Sequence, residues 1–194
     1  VTYFEYAAIY FGIIVGLALT NILTSVHKLV EAGSRVRWHW LAPVSAAYAA
    51  TLTLGEFWRA WERQHLPIHR TFISWIPIAL AFAVLFLMCA ASLPDDAGEH
   101  GVNLNRYYID NRRRFWGMSL ALHALNLMSW TAQMAEWGFS AQAFHDNLQP
   151  ILGNAAEAVL SITLIVSRAK WWHALALAAL WIYALFFFGP MVLS

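Results

Sequence analysis

FWGMSLALHALNLMSWTAQ, residues 115–133, decides what kind of fold this chain can adopt. The stretch is apolar enough to cross a bilayer. Yet it carries Ser119, His123, Asn126, Ser129 and Gln133, spaced by 4, 3, 3 and 4 residues. At about 3.6 residues per turn, these side chains form one line down one helix face. Lipid offers that line no hydrogen-bond partners, so it must face other helices or water. The expectation is a membrane helix with a polar face, around which the remaining helices pack.

The composition agrees. Of 194 residues, 60% are hydrophobic and 12% charged, where a soluble domain carries about 25% charged residues. Mean hydropathy is +0.53. A formal net charge of +1 gives no reason to expect a nucleic-acid partner. The single cysteine, Cys89, excludes a disulfide within one chain, a CxxC redox pair and a thiolate zinc site. A cleavable signal peptide is not expected, because the apolar run after Tyr6 is too long and no basic residue precedes it.

Outward from 115–133, apolar segments are read at about 6–26, 40–58, 72–93, 151–166 and 171–193. A span needs about 20 residues, so 151–166 is the shortest candidate. The expected fold is an all-α integral membrane protein. It is a six-transmembrane-helix bundle forming a single transmembrane domain over 1–194. Segments one, two, four and five each carry a polar line, so they are placed around a polar centre, with segments three and six outside. Shifting the chain by 105 positions matches Gly12 with Gly117, Asn21 with Asn126, Glu31 with Glu136 and Gly33 with Gly138. That pattern suggests two inverted three-helix repeats, an architecture found in transporters.

Charge sets the orientation. Loops after segments one, three and five hold nine lysines and arginines, among them Lys28, Arg37, Arg106, Arg168 and Lys170, against three in the other loops. By the positive-inside rule the nine face the cytoplasm and both termini face outward. Arg112, Arg113 and Arg114 then lie at the inner surface, where they suit lipid headgroups as well as topology anchoring.

Glu56 and Glu157 are the carboxylates expected at intramembrane depth. Burying one at a helix centre costs about 2.5–3.5 kcal/mol on insertion scales, so each needs water, a proton or a partner. The sharp reading is a polar cavity open to the outside, centred on Glu157. Asn154, Ser161 and Gln133 are its neighbours, and Glu56 and Arg59 stand at its mouth. His123, Asn126 and Asn21 are further candidates for the cavity. The plain reading is that Glu56 snorkels to the interface, Glu157 is neutralised by Arg59, Gln133 or Asn154, and His123, Asn126 and Asn21 only join helices by hydrogen bonds. His123 could relay protons or, as an alternative, ligate haem. A second haem ligand would have to come from His27, His39 or His173, which lie at or beyond the inner edge. His65 and His69 are not read as a metal pair, since Pro67 separates them. No metal site, catalytic residue or cofactor is expected otherwise, and no hydrolase or phosphotransfer motif is present.

GLALTNILTSVHKLVE (16–31), the tryptophan-rich start of segment two and YYIDNRRRFW (107–116) resemble a family of small bacterial multi-pass inner-membrane proteins of unassigned function. The resemblance implies a bacterial inner membrane and six helices, and it carries over no activity or site residue. Two function classes follow. The first is a channel or transporter for a small ion or solute. The second is an accessory or assembly subunit of a larger membrane complex. A haem- or lipid-binding membrane protein is a third. Expected partners are membrane lipids and a further copy or other chains of a complex.

Overall fold

The computed structural model describes residues 3–62, 72–98, 100–138 and 141–189. Among them the chain forms six helices: α1 (Tyr3–Glu31), α2 (Leu41–Glu62), α3 (Phe72–Ser92), α4 (Leu104–Trp137), α5 (Ala141–Val166) and α6 (Lys170–Phe188). Four contain stretches long and apolar enough to cross a membrane: Ala7–Glu31, Trp75–Ser92, Asn147–Val166 and Lys170–Phe188. Large apolar side chains on the outer faces, such as Ile13, Leu17, Ile162, Leu175, Ile182 and Phe186, are exposed. Such a surface is a liability in water and ordinary in lipid. The protein is a helical membrane protein. The helices α2 and α4 are less apolar than those four, and they carry many of the buried polar side chains.

Two helices are longer than their apolar runs predict. At about 1.5 Å per residue, α4 is about 51 Å long, well beyond the ~30 Å hydrocarbon core of a bilayer. The charged sequence 104–114, expected as loop, is its first three turns. Asn103 caps them, its Oδ1 accepting from the backbone N–H of Asn105 (3.1 Å) and Arg106 (3.3 Å). Arg106 pairs with Asp110 one turn on, at 3.6 Å. Hydropathy registers the lipid-crossing part of a helix and misses a solvated extension. For the same reason α5 begins at Ala141 and passes through Pro150, which lacks only one backbone donor.

The packing differs from the expected layout. Helix α3 is interior: it packs against α1, α2 and α4, with Phe82, Leu85, Met88 and Cys89 fully buried. Phe82 stacks on Phe11 of α1 at 4.5 Å. Helix α1 lies at the edge, because its buried side is the apolar row Phe11, Val15, Ala18, Ile22 and Leu29. Its polar line faces outward at Tyr10, Thr20 and Thr24. Helix α6 is at the edge, as expected, against α2 and α5. Buried Ala42, Ala46 and Ala49 on α2 let its neighbours approach closely.

One end of the bundle is tied together by the linkers after α1, α3 and α5. A two-stranded parallel clip joins the first two of these linkers: β1 (Val36–Arg37) pairs with β2 (Val102–Asn103). Gly101, at φ +77°, lies against the Arg35 carbonyl, where a Cβ would collide. The third linker is held by α4, through Arg112 Nε donating to the Ser167 carbonyl at 3.0 Å. The nine basic residues counted in the sequence therefore belong to linkers and helix ends gathered at this one end.

Candidate functional site

Many of the polar side chains that α2, α4 and α5 bury meet between these helices in hydrogen-bonded groups. On α2, Glu56 forms an ion pair with Arg59 one turn later. The other Glu56 oxygen accepts from Asn126 Nδ2 of α4 at 3.0 Å. Arg59 also lies over the Phe187 ring of α6, 5.9 Å from its centre. This carboxylate is thus matched by a cation and an amide donor.

Glu157 of α5 is held differently. One oxygen accepts from the Tyr48 hydroxyl of α2 at 3.1 Å. The other faces His123 Nδ1 of α4 at 3.4 Å. His123 and Glu157 are only 2% and 6% exposed, so neither has water as a ready partner. The same His123 Nδ1 is 3.2 Å from Asn154 Oδ1. The Asn154 amide orientation is fixed, because its Nδ2 donates to the Pro150 carbonyl at 2.8 Å. Its oxygen must therefore face the histidine, which requires that His123 Nδ1 carry a hydrogen. The other ring nitrogen, Nε2, is buried with no partner. It is a free lone pair in the neutral ring and an extra N–H in the charged one.

Further buried polar groups lie in both directions along α4. Ser119 bonds Ser161 of α5 at 3.0 Å. Gln133 is buried toward the other end, with its Oε1 unpartnered. Nearer the basic end lies a second chain of bonds. His173 Nε2 donates to the Ser167 carbonyl at 3.1 Å, so its Nδ1 accepts from the Tyr108 hydroxyl at 2.8 Å. Trp116 Nε1 in turn donates to Tyr108 at 3.2 Å. Burial pushes the Tyr108 hydroxyl up to about 12, with the Trp116 and Ser45 hydrogen bonds opposing it.

Most of the expected site residues come together here, with different partners. Asn154 reaches Glu157 through His123, Ser161 pairs with Ser119, and Arg59 pairs with Glu56. Asn21 is apart on α1, half-buried, with its Oδ1 unpartnered. Arg112 is buried and donates to the carbonyls of Ser167 and Ile109, whereas Arg113 and Arg114 are exposed. Both ring nitrogens of His173 are engaged. His65, Pro67 and His69 lie outside the described residues. Among the described residues, no three His, Cys, Asp or Glu side chains are grouped to hold a metal.

The sequence reading passed over Tyr48 and Tyr183. Tyr48 lies three residues after Ser45 and eight before Glu56, a spacing that puts it on their face. Tyr183 of α6 packs against Gly153 of α5, one turn from Glu157, where any side chain at 153 would overlap its hydroxyl. That hydroxyl is buried and unpartnered. Only the bare glycine hinted at this contact. No family model matches the chain, and neither does any curated protein or solved structure.

Proposed function

We propose that the protein is a six-span protein of a bacterial inner membrane, in which Glu157 and His123 take up and release a proton within a pathway for a small ion or solute. The observation that carries this reading is the contrast between the two carboxyls. Glu56 has a permanent cation beside it, whereas Glu157 lies between Tyr48 and His123, two groups that can themselves carry or pass a proton. A fixed guanidinium neutralises a carboxylate once and for all. With Nδ1 keeping its hydrogen toward Asn154, the His123 ring gains or loses a proton at Nε2, so a charged ring can face a Glu157 carboxylate and a neutral ring a protonated carboxyl. The unpartnered His123 Nε2 is where a proton could enter or leave the pair.

The six-span orientation is supported by the gathering of the three basic linkers at one end, which alternating crossings require. Both termini are then periplasmic. The inverted repeat gains no such support, since α1 packs on α2 and α3 whereas its counterpart α4 packs on α5 and α3 rather than on α6, the counterpart of α3. Proton flux into vesicles holding the wild type or Glu157→Gln tests the proposal.

A second reading, an accessory subunit or homo-oligomer, is favoured by the outward face of α1. Gly12, Gly16, Thr20 and Thr24 recur there every four residues, and the space beside both glycines is open. Small residues at that spacing suit close contact with another membrane helix.

A further inference from the structure

Helix α6 brings an aromatic wall to the groups around Glu157. Trp181 lies edge-on to Tyr48, the donor on Glu157, with ring centroids 6.2 Å apart. Tyr183 stacks on Phe187 with centroids 5.7 Å apart, and Arg59 lies over the same Phe187 ring. The ring stacking places the Tyr183 side chain without using its hydroxyl. That hydroxyl instead presses into α5, against Gly153. A glycine inside a helix is less favourable than an alanine. Here it is needed, because a Cβ at 153 would overlap the Tyr183 hydroxyl and the ring carbon that bears it.

Gly153 and Glu157 are one turn apart on the same face of α5, about 6 Å by helix rise. The Glu157 carboxyl reaches back across that turn. Its Oε2 and the Oδ1 of Asn154, the residue after Gly153, approach the same His123 Nδ1, at 3.4 and 3.2 Å. The phenol oxygen and the carboxyl thus stand at neighbouring levels. One water molecule, whose two hydrogen bonds span about 5.5 Å, can bridge them. The Tyr183 hydroxyl is buried, and among the described residues it has no hydrogen-bond partner. A phenylalanine would make the same stacking contact and bury no unpaired oxygen, so packing alone does not account for the hydroxyl.

We propose that Tyr183 relays protons between Glu157 and the outer side of the membrane, at the opening that Gly153 leaves. The inference rests on the proton reading of Glu157 and adds the group through which that carboxyl exchanges. Gly153 lies toward the start of α5 from Glu157, and Tyr183 lies near the end of α6, both away from the basic linkers. In the inward step, a hydronium ion of the outer solution gives a proton to the phenol oxygen. The phenol's own hydrogen passes to the bridging water, and a hydrogen of that water passes to the Glu157 carboxylate. The tyrosine and the bridging water are neutral before and after, and rotation of the hydroxyl restores the donor. The outward step is the reverse. The carboxylate has lone pairs to spare beyond those facing Tyr48 and His123.

The test measures proton flux in proteoliposomes and thermal unfolding on the full chain, as wild type, Glu157→Gln and Tyr183→Phe. Tyr183→Phe should cut flux by about 100-fold, the low end of what a positioned proton carrier contributes. Its unfolding midpoint should stay or rise, because the hydroxyl it loses has no partner to leave behind. A Tyr183→Phe protein that loses stability along with flux would make the hydroxyl a structural bond and overturn the relay. Flux abolished by Glu157→Gln but intact in Tyr183→Phe would overturn the relay alone and leave the reading of Glu157 standing. A wild type without flux would end that reading and the relay with it.

Discussion

Tyr108 shows how much one hydroxyl can hold. It donates to His173, accepts from Trp116, and so joins α4 to α6 near the turn that Arg112 grips. Tyr108→Phe leaves a buried imidazole nitrogen and an indole N–H unpaired, and should lower stability by about 1–3 kcal/mol in thermal or denaturant unfolding. The hydroxyl also sets a pH limit. Its folded pKa, about 12, lies above the unfolded value near 10.0. Its contribution is therefore full below pH 10 and is lost as pH rises toward 12, a decline that Tyr108→Phe should lack. At this scale the sequence was half legible. Glu157, His123, Asn126 and Asn154 stood out because a polar atom in an apolar run must find a partner. Tyr48 and Tyr108 did not, because a tyrosine in a membrane protein reads equally well as core or as interface.

At the scale of the helices, apolar runs located six elements but not their lengths or neighbours. The charged first turns of α4 were hidden because hydropathy cannot distinguish a solvated helix from a loop. The place of α3 was misread for a related reason. An apolar helix suits lipid and protein interior equally, and only shape complementarity, as between Phe11 and Phe82, separates them. Substitution on two faces of α3 checks the interior position. Phe82→Ala should cost about 1–3 kcal/mol, the packing share of a large-to-small change where lipid offers no hydrophobic term. Leu87→Ala, on the exposed side, should lie within about 0.5 kcal/mol of wild type. Equal losses in the two variants would move α3 back to the periphery.

For the whole molecule, the three joined linkers and their basic residues predict one orientation. A cysteine introduced at exposed Ser34 should resist a membrane-impermeant thiol reagent in intact cells and react once the membrane is opened; native Cys89 is buried and adds little background. Within that frame the bundle holds a second carboxyl that the fold does not neutralise with a fixed cation, and the proposed function rests on it. The direct measurement is proton flux into proteoliposomes under an imposed pH gradient, with wild type and Glu157→Gln compared at equal incorporation and equal thermal stability. The glutamine is close to isosteric and can still accept from Tyr48, so the variant should fold and insert. Flux above protein-free vesicles for the wild type, falling to their level in Glu157→Gln, is the predicted result. A folded Glu157→Gln protein with undiminished flux, or a wild type with none, would contradict the account and leave Glu157 and its partners as bonds between helices.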